Sequence, residues 1–363
     1  MIKLLIAICL LYWHSGLLAA DKADIPLTEA TPESQGLDGL RLQQAIDGVE
    51  AGEYGDINAL LVLRNDYLVL EHYFEPLYKG PDYRHPVRSV TKSFTSALIG
   101  IAREQGKLPD LQTGLLDLFP QYSNIENLDG RKREITFDHI LSMTAGFEWD
   151  EFSPGAMSDP NMMRSPDWIK HVLDLPMRDA PGTRWVYNGG CSMLLSDILQ
   201  RATGQAVDEF ARRYLFEFIG IDNWRWSIGK NDVINTAHGL SMTRRDMARL
   251  GVLYLNDGRW QGEQIVPEDW VKLSTSLKTR DNADYFPYAY AYQWWRMQDA
   301  EPTAAMLATN DMYTAIGLHG QFVLVIPHLD MVVVSTAENF GWANEELFLK
   351  LLRDHILPAV LDE

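Results

Sequence analysis

The sequence predicts an α+β fold: an antiparallel sheet flanked by helices, with an all-helical lobe set into it. Three observations carry this. Apolar strand-like segments occur early, at "INALLVLRNDYLVLEHYF". They return only late, at "YAYAYQWWRM", "QFVLVIP" and "MVVVSTA". Between them, from about Gln105 to Trp226, helix-like stretches alternate with Pro/Gly punctuation and strand signals are few. Strands from both ends of the chain then share one sheet. The body comprises residues 21–104 and 227–363, the lobe residues 105–226, and a cleft between them is the natural place for a site.

The elements follow in order. "MIKLLIAICLLYWHSGLLAA" has a positive Lys3, an apolar core from Leu4 to Leu11 and small residues at Ala19-Ala20. That is the layout of an export signal over residues 1–20. A membrane anchor is the rival reading, but His14, Ser15 and Gly16 interrupt a run already short for a span. The expectation is a periplasmic or secreted chain with no stable membrane span after signal removal. Removal takes away Lys3, which moves the formal net charge from −18 to about −19. It also takes Cys9, so Cys191 stands alone and forms no internal disulfide. So acidic a chain offers no basic face to nucleic acid.

"DGLRLQQAIDGVEAG" sets Leu40, Leu42, Ala45, Ile46 and Val49 at helical spacing. Strands at Ala59 to Leu63 and Tyr67 to Tyr73 follow, joined at Asn65-Asp66. In the lobe, "TFDHILSMTAGF", "SPDWIKHVLDL", "CSMLLSDILQRATG" and "AVDEFARRYLFEFIG" read as helices. "SMTRRDMARLGVLYLNDG" is a further amphipathic helix. The late strands "QFVLVIP" and "MVVVSTA" form a hairpin about His328-Leu329-Asp330, and "NEELFLKLLRDHILPAV" closes the chain as a helix with Asn344 as its cap.

One short stretch bears chemistry. In "RHPVRSVTKSFTSALIGIA", Ser89 and Lys92 are three residues apart, ahead of an apolar stripe at Phe94, Ala97, Leu98 and Ile101. On a helix they are neighbours on one face. Ser89 falls in the first turn, where unpaired N–H groups and the helix dipole favour negative charge. A second match, Ser227-Ile-Gly-Lys230, has no such stripe after it. By the pair alone, Ser89 reads either as a nucleophile with a base one turn away or as a helix N-cap beside a solvated Lys.

The wider pattern resembles the serine β-lactamases and penicillin-binding DD-peptidases. "RSVTKSFTSALIGIA" is most similar to their class C-like branch, which also holds carboxylesterases, D-aminopeptidases and 6-aminohexanoate-dimer hydrolases. "ITFDHILSMTAGF", "PGTRWVYNGG", "GLSMTRRDMARLG" and "GLHGQFVLVIPHLDMVVV" fit in order, so the resemblance spans nearly the whole mature chain. It implies a β-lactamase/transpeptidase-like fold in a single catalytic domain over residues 21–363. It also implies catalytic Ser89, Lys92 and Tyr187. Ser hydroxyls need a neighbour to take their proton, and a leaving group must receive one. Tyr187 and Lys92 are suited to both tasks, and which of them is the acylation base stays open. The family's Tyr-x-Asn reads here Tyr187-Asn188-Gly189, with the Asn one place early, and Asn188 is the substrate-binding expectation. The family's Lys-Thr-Gly is matched to Leu318-His319-Gly320. On that alignment the backbone N–H groups of Ser89 and Gln321 form the oxyanion hole, and Gly320 admits substrate close to the backbone. His319 either hydrogen-bonds substrate or faces solvent.

The missing Lys of that motif and the acidic charge weigh against a dedicated β-lactamase. The chain therefore reads as an exported serine hydrolase acting on a small-molecule or peptide-like ester or amide through an acyl-enzyme. β-Lactamase or DD-peptidase activity is the alternative, as is a non-catalytic ligand-binding protein of the same fold. No cofactor or metal is implied, since His-Glu-x-x-His and phosphate-binding Gly loops are absent. Gly239-Leu-Ser241-Met-Thr243 is better read as a helix cap than as a nucleophile elbow. Trp149, Trp185, Trp294 and Trp295 are either an apolar wall at the cleft or core.

Overall fold

The computed structural model describes residues 27–75, 79–279, 288–297, 311–339 and 344–361. The expected export signal lies outside these residues. Helix α1 (Gly39–Glu50) starts where Asp38 accepts the N–H groups of Leu40 and Arg41. Strands β1 (Ile57–Arg64) and β2 (Tyr67–Tyr73) follow, turning through Asn65 and Asp66 at φ 51° and 66°, the left-handed pair of a tight hairpin. Helix α2 (Val90–Glu104) comes next. The later strands are β3 (Tyr288–Tyr290), β4 (Trp295–Met297), β5 (Tyr313–Gly317), β6 (Gln321–Ile326) and β7 (Met331–Ala337).

These seven strands form one antiparallel sheet in the order β2-β1-β7-β6-β5-β4-β3. Its centre is the pairing of β1 with β7, from Ile57 opposite Ala337 to Arg64 opposite Met331. The two ends of the chain thus share one sheet, as the late return of strand signals implies. "YAYAYQWWRM" departs from a single alternating strand. It folds as the hairpin β3–β4, with Gln293 at φ 63° and the Ala291 N–H donating to the Trp294 carbonyl at 2.8 Å.

The central strands are buried on both faces, so they read as unbroken apolar runs rather than alternating ones. One face carries Leu61, Leu63, Val323, Val325, Val332 and Val334 into a core with α2 and the helices beside it. The other carries Leu60, Val62, Leu324, Ile326 and Val333 against α1 and the C-terminal helix.

Between α2 and Trp226 the ordered elements are chiefly helices. They include α3 (Phe137–Leu141), α4 (Ser158–Arg164), α5 (Trp168–Asp174) and α6 (Gly189–Thr203). Helix α7 (Arg244–Leu255) returns to the sheet. Thr243 caps it and Asp246 reciprocates, which explains the polar start of the "SMTRRD" segment. The last helix, α8 (Asn344–Leu351), has Asn344 as its first residue. Among the described residues, no helix is long and apolar enough to cross a membrane.

Candidate active site

Helix α2 is buried from Val90 to Ala102, so its polar residues need partners inside the protein. They find them on the segments packed around it. Ser93 Oγ donates to the Gln293 carbonyl and Ser96 Oγ to the Tyr292 carbonyl, both at 2.8 Å. Thr95 Oγ1 bonds the Thr236 carbonyl at 3.1 Å. This polar seam fixes the helix between the β3–β4 turn and the 235–238 segment.

Ser89 occupies the N-cap position of α2, yet its side chain makes no capping bond. Its Oγ lies 3.0 Å from Lys92 Nζ. The preceding Arg88 has φ 52°, a left-handed conformation that costs a non-glycine residue about 1 kcal/mol. Thr91 secures that turn, its N–H and Oγ1 both donating to the Arg88 carbonyl at 3.0 and 2.6 Å.

Lys92 is 2% exposed. Its ammonium donates to the Ala237 carbonyl at 2.9 Å and lies 4.9 Å from the centre of the Tyr187 ring. Burial pushes its pKa down to about 8, against the opposing pull of Glu151 and Asp159. Asn235 Oδ1 accepts the N–H groups of Ala237 and His238, a local turn that aims the Ala237 carbonyl at Lys92. His238 Nε2 lies 3.3 Å from Asp159 Oδ1. Burial pushes the Asp159 carboxyl upward, but the His238 hydrogen bond and the charges of His238 and Lys92 hold it below its ordinary value.

Tyr187 is buried in an aromatic cluster. It stacks on Trp295 at 5.5 Å and 16°, with Phe152 at 5.1 Å and Trp185 and Tyr290 edge-on at 6.2 Å. Of the four tryptophans weighed as a cleft wall, Trp185 and Trp295 contact Tyr187. Trp149 and Trp294 belong to the other core. Burial holds the Cys191 thiol up, with Glu151 adding to it, so it is no thiolate nucleophile.

Ser89, Lys92 and Tyr187 are therefore brought together, with Lys92 between the other two. The expectations for Asn188, His319, Gly320 and Gln321 are corrected. Asn188 is a helix cap: its Oδ1 accepts the Cys191 N–H at 3.0 Å at the start of α6. Its side-chain oxygen is thus directed at the helix. His319 and Gly320 turn towards β7. His319 Nδ1 meets the Asn339 carbonyl at 2.8 Å, and a Cβ added to Gly320 would meet that of Ala337 at 2.9 Å.

The glycine beside the turn that leads into Ser89 is Gly317. A Cβ there would come within 2.5 Å of the Val87 carbonyl oxygen and 3.1 Å of the Arg88 Cβ. Gln321 pairs with Gly317 at the start of β6, an interior strand, which is the wrong place for an outward-facing donor. The outer edge of β5 differs. Beyond Thr314 opposite Trp295, no strand covers it among the described residues. The match to the family's third motif therefore shifts three residues back, to Ala315-Ile316-Gly317 followed by Leu318.

The Gln321 side chain instead braces the turn. Its Nε2 donates to the carbonyls of Leu318 and Ala337, and its Oε1 lies 2.8 Å from His85 Nε2. Burial, with the Arg244 charge second, pushes the His85 pKa down to about 4.

The residues missed by sequence reasoning are Glu151, Asp159, Ala237 and Gly317-Leu318. An Asn-turn signal existed at "INTAHG", and Gly317 was visible as a second glycine in "GLHG". Glu151 and Asp159 reach the site only through the tertiary fold. Among the described residues, no group of three or more His, Cys, Asp or Glu is placed to hold a metal ion.

Comparison with known proteins bears on the family and the fold. The family model described as Beta-lactamase matches residues 50–355. The 6-aminohexanoate-dimer hydrolase of Paenarthrobacter ureafaciens is 25% identical over 296 residues, covering 76% of this chain and 71% of that protein. Among solved structures, EstCE1, a hydrolase with promiscuous acyltransferase activity, superposes with a TM-score of 0.71 at 14% identity, covering 89% of this chain and 98% of that one. A penicillin-binding protein homologue from Caulobacter crescentus gives a TM-score of 0.69 at 16% identity, covering 90% and 97%. These two likenesses establish the shared fold.

Proposed function

The chain belongs to the Beta-lactamase family, and from that premise we propose that it is a serine hydrolase opening an ester or amide bond through an acyl-enzyme on Ser89. The observation that carries this is the 3.0 Å contact between Ser89 Oγ and a buried Lys92 whose pKa is pushed down to about 8. An amine with such a pKa is a workable base near neutral pH.

In the proposed cycle, Ser89 Oγ attacks the substrate carbonyl carbon while its proton passes to Lys92 Nζ or to the Tyr187 oxygen beside it. The carbonyl π pair moves onto oxygen. Backbone N–H groups of Ser89 and Leu318 receive that oxyanion. Neither N–H donates to a protein acceptor among the described residues. Collapse expels the alcohol or amine, which takes the proton. Water then attacks the ester carbon of acyl-Ser89 by the same route and releases the acid.

Ester or neutral amide substrates fit best, because the β5 edge offers Ala315, Ile316 and Gly317 where a carboxylate-binding family member has a Lys. The similarity to a 6-aminohexanoate-dimer hydrolase points the same way. We further propose that residues 1–20 are cleaved on export, leaving the mature chain periplasmic or secreted. N-terminal sequencing of the mature protein tests this.

A fluorophosphonate probe with mass mapping tests the central claim. Labelling at Ser89 that disappears in Lys92→Ala is expected. Failure of every fluorophosphonate, ester and β-lactam to acylate the protein would leave a binding protein instead. A panel of p-nitrophenyl esters, nitrocefin, D-amino-acid amides and linear amide dimers then assigns the substrate class. Rapid nitrocefin turnover would overturn the ester or amide preference.

A further inference from the structure

The family's Tyr-x-Asn motif is incomplete here, because its third place is Gly189. The space beside Gly189 is nevertheless occupied. A Cβ built on Gly189 would have Glu151 Oε2, Oε1 and Cδ as its nearest neighbours, at 3.1, 3.4 and 3.6 Å. Glu151 Oε2 accepts the Gly189 N–H at 2.7 Å and the Trp149 indole N–H at 2.9 Å. The next residue, Phe152, packs on the Tyr187 ring.

We propose that the Glu151 carboxylate stands in for the missing motif Asn and acts as a positioning residue, holding the Tyr187-Asn188-Gly189 backbone in place and setting a negative charge opposite the Lys92 side chain. This rests on the hydrolase reading above.

Two features argue for it. First, the carboxylate is placed by two hydrogen bonds, one from the backbone at the start of α6 and one from a buried Trp. An anion at a helix N-terminus is favoured. Second, the groups that face Lys92 divide cleanly. Ser89 Oγ, the Ala237 carbonyl and the Tyr187 ring contact it, while Glu151 and, on α4, Asp159 act on it as opposite charges. Asp159 is shared with His238. Tyr290 and Cys191 also feel the Glu151 charge, and burial keeps both neutral. Glu151 is therefore the carboxylate that touches the motif segment and also acts on its lysine. An Asn at position 189 would supply polar contact there but no charge. The substitution changes the proton affinity of Lys92 as well as the packing.

The test compares rates of fluorophosphonate labelling at Ser89 across pH. Glu151→Gln keeps an oxygen for both N–H donors and removes the charge. The limb of the profile that reports Lys92 should move down by about one pH unit, since a nearby opposite charge shifts a pKa by that order. Glu151→Ala should slow labelling by about tenfold or more. Adding Gly189→Asn to Glu151→Ala should recover much of that loss, because the space at Gly189 is then open. A wild-type profile in Glu151→Gln, or a double variant no faster than Glu151→Ala, overturns the inference. Thermal melts show whether each variant is folded, and Glu151→Gln remains decisive should Glu151→Ala misfold. Absence of labelling in the wild type would instead refute the hydrolase itself.

Discussion

Replacing Lys92 by Met should abolish acylation and yet stabilise the fold at neutral pH. The ordinary Lys pKa of 10.5 is pushed to about 8 by burial, a gap worth about 3 kcal/mol at about 1.4 kcal/mol per unit. The sign follows from proton binding. Between about pH 8 and the unfolded value near 10.5, the unfolded chain holds a proton on Lys92 that the folded chain lacks. Stability therefore rises with pH across that window, and below about 8 the folded state bears the full cost. Met is close to Lys in length and packs well over the Tyr187 ring. It leaves the buried Ala237 carbonyl without its donor, which costs about 1–2 kcal/mol. The net expectation at pH 7 is a gain of about 1–2 kcal/mol, with fluorophosphonate labelling reduced at least a thousandfold. Urea denaturation of both proteins at pH 7 and pH 9.5 measures this. By pH 9.5 the wild type should have regained about 2 kcal/mol relative to the variant, erasing the gain. A variant less stable at pH 7, by an amount that does not change at pH 9.5, would refute the reasoning.

Two further substitutions separate the roles proposed here. Tyr187→Phe keeps the stack on Trp295 and the contact with Lys92 but removes the hydroxyl; labelling should fall about 10²–10³-fold with the melting temperature nearly unchanged. Leu318→Pro deletes the proposed oxyanion donor and should cost about 3 kcal/mol of barrier, read as slowed acylation in a protein that still melts cooperatively. If acylation survives it, the donor lies elsewhere on the hairpin.

The parts of the site legible in the sequence are those set by short-range geometry. Ser89 and Lys92 lie within one turn of a helix marked by Phe94, Ala97, Leu98 and Ile101, so spacing alone makes them neighbours. Tyr187 follows a Pro-Gly turn in a recurring pattern. The sequence leaves the third motif ambiguous because "GLHG" holds two glycines and only strand register chooses between them. Pairing of Gly317 with Gln321 leaves the first against Val87 and Arg88 and carries the second off towards Ala337. Asn188 is ambiguous in sequence because a polar residue before a helix serves as a cap as readily as a ligand. The alternation in "YAYAYQWWRM" concealed a reversal at Gln293, a residue without the usual turn signal. Glu151 had no local signature, since its meaning depends on an approach to Gly189 that crosses the fold.

The pairing of β1 with β7 also bears on the order in which the molecule is assembled. Strand β2 meets β1 across a two-residue turn, whereas Arg64 and Met331 are separated by roughly 270 residues, a closure that costs about 4 kcal/mol more in chain entropy. The first hairpin to leave the ribosome must therefore wait for nearly the last, with one of its edges open. Contacts of such long range make folding slow. A chain that lacks only its final strand has Ser89 and Lys92 in sequence but no completed sheet for their helix to rest on. Acylation by the probe then becomes a report on the finished polypeptide, and a nascent or C-terminally truncated chain should remain unlabelled.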